Sequence, residues 1–405
     1  MPARFAALRS RNFRLLWAGL LTSNVGTWMA TTAQGWLVTE IAPDRAPFVL
    51  GLIAVAFAVP MLTLPPIGGA IADRVPRLRV LWAAQIGYLS LSATLTVLTF
   101  ADLADVPVLV AYAFLTGVIL AFDNPTRQAL VPDLVPREAL TSAISLNAAV
   151  FTGAALVGPA IAGALIPVVG VGGVFAANTV SYLAVLLALG RVRGIPQRSG
   201  RPVTGSVLST VRAGFAYVAR TPLVGTLLLL SLATGLFGRS YGPLLAVFAR
   251  DVFQVGSVAF GFLVAAPGLG TLAGSLGLAA RGEVRRRGRV VHVAALLLAA
   301  MLGLFAATDR YALALPALAL AGFCATIGSA LTATLIQLEV PGELRGRVMS
   351  LYTLTLIGVP SLGALFTGWL GDQVGVRPAV GANAVLAALL AAGTFAASRS
   401  LRRAA

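Results

Sequence analysis

The chain has 405 residues, of which 58% are apolar and 11% charged, and its mean hydropathy is +0.90. Soluble domains carry about 25% charged residues, so a water-soluble fold is excluded, whereas twelve helices of about 20 apolar residues would use about 240 positions and leave connecting loops. The net charge of +16 comes from 30 basic residues that are all arginine, and in such a chain it must sit in short loops, where it reports topology instead of nucleic-acid binding.

Apolar runs bounded by charge, Gly or Pro predict twelve spans: 13–39, 48–72, 79–100, 106–122, 141–166, 172–190, 222–248, 257–280, 289–307, 311–335, 348–371 and 377–397. Arg4, Arg9 and Arg11 precede the first span and Arg14 stands at its start, but that span is too long for a signal peptide and no small-residue cleavage site closes it, so it reads as an uncleaved helix. With the N-terminus in the cytoplasm, 25 arginines and seven acids fall on the cytoplasmic side. Five arginines (Arg45, Arg239, Arg250, Arg310 and Arg377) and seven acids fall on the other. The two sides thus carry +18 and −2, the asymmetry that this orientation requires. An even span count places both termini in the cytoplasm. Cys324, the lone cysteine, excludes an intramolecular disulfide framework and a Cys-based metal cage.

Shifting the sequence by 205 residues lays Val135, Pro136, Glu138, Ser145 and Leu146 on Val340, Pro341, Glu343, Ser350 and Leu351. The same shift lays Gly153, Gly158, Gly163, Gly170 and Asn178 on Gly358, Gly363, Gly368, Gly375 and Asn383. Apolar bias alone would not align Pro, Glu, Asn and glycines in one register. The expected fold is an all-α integral membrane protein of twelve helices in two parallel-related six-helix bundles, 1–190 and 221–405. A cytoplasmic linker, 191–220, joins them, and its stretch from Val203 to Arg220 reads either as an amphipathic surface helix or as a plain polar loop. Parallel repeats place a substrate site between the halves near the midplane, with alternating access by rocking.

Polar side chains inside spans are default functional candidates. In span one Asn24, Thr27 and Thr31 lie on one face by their three- and four-residue spacing, beside Trp28 and with Gln34 further on. Span seven holds Arg239 and Tyr241; Arg239 reads either as a cavity group or as a side chain reaching to the interface. Tyr112 and Thr116 in span four and Thr326 and Ser329 in span ten complete the candidate lining, although helix packing accounts for each hydroxyl taken singly. A mostly apolar lining with aromatics and sparse polar groups suits an amphiphilic solute better than a sugar. No acid lies at the centre of a span; Asp123, near the cytoplasmic end of span four and close to Arg127, reads either as a group that titrates if partly buried or as one held in a permanent salt bridge.

Without lysine there is no phosphate-binding loop of the Walker type, and the sole histidine, His292, lacks a catalytic constellation. We therefore expect no enzyme, cofactor, metal, ATPase subunit or nucleic-acid partner. The expected partners are a small-molecule substrate, the lipid bilayer and protons.

Residues 69–79 read Gly-Ala-Ile-Ala-Asp-Arg-Val-Pro-Arg-Leu-Arg, which resembles the cytoplasmic signature of the major facilitator superfamily. On physical grounds Gly69 permits close helix packing and the arginines anchor the loop at the cytoplasmic face. The resemblance implies a latch of Gly69, Asp73, Arg74, Arg77 and Asp123, in which Asp73 faces the start of span eleven and Arg77 reaches Asp123. The second-half counterpart keeps Glu283 but lacks the Asp-Arg pair. Gly153, Gly158, Pro159 and Gly163 are similar to the superfamily's exporter glycine motif, with one residue more before the closing glycine; packing glycines and a proline kink explain them equally well. The strings at 10–14, 26–29, 34–38, 135–138 and 343–351 look like the enterobactin-exporter-like branch, the transmembrane secretion effectors. That resemblance implies proton-coupled efflux of drugs or siderophore-like compounds across the cytoplasmic (inner) membrane. A nutrient or metabolite importer and a non-transporting receptor or scaffold stay open as alternatives.

Overall fold

With no water to take up backbone hydrogen bonds, a chain in lipid is confined to helices or closed barrels, and the helical option is the one this sequence takes. A computed structural model describes residues 3–192, 216–282, 284 and 286–397; the side chains of Ala3, Arg4, Pro66, Ala70, Ala72, Asp73 and Ala397 fall outside the description. The helices are α1 (Arg11–Ile41), α2 (Ala46–Thr63), α3 (Pro65–Arg74), α4 (Arg77–Phe100), α5 (Val106–Leu134) and α6 (Leu140–Arg191). They are followed by α7 (Pro222–Ala233), α8 (Ser257–Arg281), α9 (Arg287–Ala307), α10 (Tyr311–Glu339), α11 (Gly342–Val374) and α12 (Val376–Ala397). No strand occurs among the described residues.

Among the described residues, ten helical stretches are long and apolar enough to cross a membrane. One of them, Arg137–Arg191, contains both expected spans 141–166 and 172–190. The chain bends between the two at Gly170, whose φ of 68° lies in the left-handed region open to glycine. The expected span absent from the ten is α1, which at 31 residues has ample length but carries a row of Thr, Ser, Asn and Gln. Much of that row bonds to its own helix: Thr22, Thr27, Thr31 and Thr32 each donate to the carbonyl four residues back at 2.8–3.1 Å. Such back-bonding satisfies hydroxyls without water. Span two breaks at Leu64 into α2 and α3, with prolines at positions 65 and 66 starting the second piece. Asp105 caps α5 by accepting from the Val108 N–H at 2.9 Å.

The chain divides into two compact units. The first comprises Met1–Ile41, Ala56–Val203 and Ser257–Gly261; the second comprises Ala42–Val55, Thr204–Gly256 and Phe262–Ala405. In the first, α1 packs on α6, and α4 on α5 and α6. Its core cluster includes Phe13, Leu16, Leu20, Leu81, Leu130, Val185 and Leu189. In the second, α9 packs on α10 and α12, around Leu227, Leu230, Val291, Leu335, Ile336 and Tyr352. Large apolar side chains also point outward, among them Val97, Leu187, Leu276 and Leu389, each more than half exposed, which is the surface a hydrocarbon solvent requires.

The 205-residue repeat reappears as geometry. Gly170 and Gly375, aligned by sequence, take φ of 68° and 90°, so the same backbone turn joins the last two spans of each half. A Cβ on Gly158 would meet the Trp28 Cβ and the Val25 carbonyl of α1, and one on Gly363 would meet the backbone of Leu236 and the Ser240 side chain. Spans five and eleven thus use matching glycines for close approach to spans one and seven. Lipid is as apolar as leucine, so helices in a bilayer gain from van der Waals closeness, and small residues provide it.

The linker expected at 191–220 lies outside the described residues from 193 to 215; residues 216–220 are helical. Glu283 is likewise outside them.

Candidate functional site

Each unit holds its own polar interior, and the two are built differently. In the first unit the buried residues Gln85, Tyr88 and Ser92 recur along α4 at three- and four-residue spacing, which sets them on one inward face. Gln85 Nε2 donates to Asp123 Oδ1 at 3.2 Å. Asp123 Oδ2 pairs with Arg127 Nη2 at 3.0 Å, one turn along α5, and both side chains are at least 94% buried. The Arg127 guanidinium also lies over the Phe151 ring, 5.0 Å from its centroid. One turn along α4, Tyr88 stacks on Tyr182 at 5.3 Å with 9° between the rings. The Tyr182 hydroxyl is bonded to Thr27 Oγ1 at 3.0 Å. Further along, Ser92 Oγ bonds Thr179 Oγ1 at 2.9 Å and accepts from Asn178 Nδ2 at 3.2 Å. The sequence reading missed this α4 face, although the spacing test that singled out Asn24, Thr27 and Thr31 would have found it.

Among the span-one candidates, Thr27 therefore joins a tyrosine pair and Gln34 Nε2 donates across to the Leu109 carbonyl of α5 at 3.1 Å. Asn24 donates to the Leu20 carbonyl of its own helix at 2.7 Å, Trp28 supports Gly158, and Thr31 is exposed. Tyr112 is half-buried, one turn along α5 from the buried Thr116 hydroxyl, which interacts with it.

In the second unit α7 ends at Ala233, and the chain continues through a π turn, Thr234–Gly238, before Arg239 leaves helical geometry at φ −122° and ψ −3°. Short turns from Gly242 to Val252 complete the span. Arg239 lines a small internal recess of about 30 Å³ with Ser231, Thr234, Cys324, Ser329 and Thr332, walled by Leu230, Val291, Leu298 and Leu356. Its guanidinium makes no hydrogen bond or ion pair among the described residues, and its electrostatic neighbours are the phenols of Tyr352 and Tyr241. Arg239, which the sequence offers either as a cavity group or as a side chain reaching to the interface, stands on the wall of this recess. The predicted Ser329 is in the same recess; Thr326 bonds to its own helix through the Gly322 carbonyl, and Tyr241 packs its ring against Phe305 at 6.3 Å. Beyond this recess, Asn383 Nδ2 donates to Ser240 Oγ at 3.1 Å and Thr367 Oγ1 at 2.6 Å, the counterpart of the Asn178 network. A larger recess of about 350 Å³ among the loops of this unit is lined by Pro43, Asp44, Pro47, Asp251, Asp372 and Arg377.

Residues 2–404 match the model of the family described as transmembrane secretion effector. The chain belongs to that family, within the major facilitator superfamily. It is similar to the staphyloferrin A transporter of Staphylococcus aureus at 30% identity, over 62% of this chain and 63% of that protein. The chain thus spans somewhat under two thirds of that relative's length. To the enterobactin exporter of Shigella boydii it is 30% identical over 76% of this chain and 73% of the exporter. In fold it resembles a bacterial homologue of the human lysosomal transporter Spinster, with a TM-score of 0.75, 16% identity and coverage of 100% and 98% of the two chains. A bacterial homologue of the iron transporter ferroportin superposes with a TM-score of 0.67 at 20% identity, covering 95% and 98%. This secretion-effector chain is accordingly a multi-pass secondary transporter and not an enzyme.

Two details of the expected latch are corrected. Arg77 does not reach Asp123; its Nη1 pairs with Asp133 Oδ2 at 2.5 Å and donates to the Ala129 carbonyl at 2.8 Å. The reason is register: α4 and α5 run antiparallel, so Arg77 at the start of α4 is level with Asp133 at the end of α5. Asp123 lies ten residues, about 15 Å, deeper, level with Gln85. Nor is Gly69 the close-packing glycine, since nothing approaches within 4 Å of a Cβ placed there; its neighbour Gly68 abuts the Ala121 carbonyl. Arg74 is exposed, and the Asp73 side chain lies outside the described residues. In the glycine motif, Gly158 and the buried Pro159 pack tightly, a Cβ on Gly163 would meet the Ser257 carbonyl and Gly261, and Gly153 faces open space.

Proposed function

We propose that the chain exports amphiphilic small molecules, siderophore-like compounds and drugs among them, by rocker-switch alternation driven by a proton gradient. The observation that carries the direction is the match over three quarters of the chain to a protein named as an enterobactin exporter. The lining supports the solute class: both interiors set a few polar groups, Thr27 and Tyr182 in one unit and Arg239 and Ser329 in the other, into apolar and aromatic walls. Proton coupling draws its support from Asp123, a carboxylate 2% exposed inside a helix that crosses the membrane. The loop of Asp73, Arg74 and Arg77 acts as a cytoplasmic latch in this reading, both termini lie in the cytoplasm, and the membrane is the cytoplasmic (inner) one.

Purified protein in liposomes with an imposed pH gradient, offered dyes, antibiotics and siderophores, tests the reading. We expect gradient-dependent movement of at least one amphiphile, lost in Asp123→Asn at equal incorporation. If none of the panel moves, or if collapsing the gradient leaves flux unchanged, proton-coupled efflux of these solutes is wrong.

A further inference from the structure

A guanidinium inside a membrane span is costly unless it finds partners. Arg239 stands in Pro222–Val252, a stretch apolar enough to cross a membrane, and among the described residues it has no carboxylate to offset that cost. Ser231, Thr234, Ser329 and Thr332 supply the hydroxyls of its recess, and no Asp or Glu lines it. Thr234 and Ser329 donate their protons to backbone carbonyls, which leaves the Arg239 N–H groups as the free charged donors. The helix is opened immediately before Arg239 by the π turn Thr234–Gly238, a distortion that recurs at functional sites. The recess of about 30 Å³ has the capacity of one or two waters, too small for a whole solute and sufficient for one compact group.

We propose that this recess is an anion subsite, in which Arg239 holds a carboxylate or similar planar oxyanion of an otherwise apolar solute. The planar fork of a guanidinium matches a carboxylate in a bidentate pair, and an uncharged amide of the same shape would leave the arginine charge uncompensated. The inference rests on the transporter reading only in naming the ligand as a solute, and binding can be measured without transport. Calorimetry on the detergent-solubilised full chain with 2-naphthoate and 2-naphthamide is the test. The wild type binds the acid at least tenfold more tightly than the amide; Arg239→Gln removes the difference and Arg239→Lys keeps part of it. In the wild type 2-naphthoate also slows alkylation of Cys324, the lone cysteine and a wall of the same recess.

Equal affinities in the wild type, or a preference unchanged in Arg239→Gln, overturns the proposal; so does a preference that leaves Cys324 alkylation unaltered, since the anion then sits elsewhere. Where Arg239→Gln does not fold, the wild-type pair of ligands, Cys324 protection and Arg239→Lys decide the matter. Absent flux in liposomes with the naphthoate preference intact counts against export alone. Flux of dyes without any naphthoate preference counts against the anion subsite alone.

Discussion

The first unit neutralises its interior charge and the second leaves one bare. Asp123 and Arg127 are paired, shared with Gln85 and covered by Phe151, while Arg239 faces hydroxyls and phenols with no acid in reach among the described residues. Both units nevertheless keep the same scaffold. Matching glycines seat span five on span one and span eleven on span seven, and matching asparagines, Asn178 and Asn383, tie buried hydroxyls together. The contrast teaches that duplication here preserved helix contact and let charge diverge. A paired charge holds a bundle in one arrangement; an unpaired one is a demand for a ligand.

The sharpest way to break that comparison is to remove charge from each side. Asp123→Ala strands Arg127, only 5% exposed, and is expected to cost about 3–5 kcal/mol, read as a large fall in the thermal midpoint of the solubilised protein. Arg239→Gln is expected to leave that midpoint unchanged or raised, because no partner is orphaned. A drop of similar size in both variants would show that Arg239 is a structural partner after all. The shared scaffold predicts a middle-sized effect that is equal in the two halves. Gly158→Val and Gly363→Val each drive a side chain into a neighbouring helix, Trp28 Cβ at 2.6 Å in one case and Leu236 backbone at 2.9 Å in the other. The cost is about 1–3 kcal/mol apiece, and the yield of monodisperse protein on size exclusion should fall alike. The smallest effect separates two adjacent glycines: Gly69→Ala shifts the midpoint by less than about 0.5 kcal/mol equivalent, whereas Gly68→Ala, pressed on the Ala121 carbonyl, lowers it measurably.

Much of this was legible in the residues. Hydropathy and the arginine distribution are sums over long stretches, so they marked the helical membrane class and the span positions within a few residues. α1 shows where such sums run thin: its polar row keeps it out of the ten apolar stretches, and only the back-bonded hydroxyls explain how it serves as a span. Periodicity marks Thr27 and polarity inside a span marks Gln34, and their bonds to Tyr182 and to the Leu109 carbonyl are both to other helices. The α4 face of Gln85, Tyr88 and Ser92 was equally periodic and went unread.

What the sequence determined by itself was whatever depends on neighbours along the chain: the solvent it was made for, the periodic faces of its helices and the repeat that sets Gly170 and Gly375 into the same left-handed turn. What only the tertiary structure decided was partnership. Arg77 took Asp133 and Asp123 took Arg127 because antiparallel helices pair by depth, and Arg239 took none because the helices around its recess bring hydroxyls and apolar walls to that level and no carboxylate. Charge and polarity are written residue by residue, but which charges meet depends on the register between helices, and that is settled only when they pack.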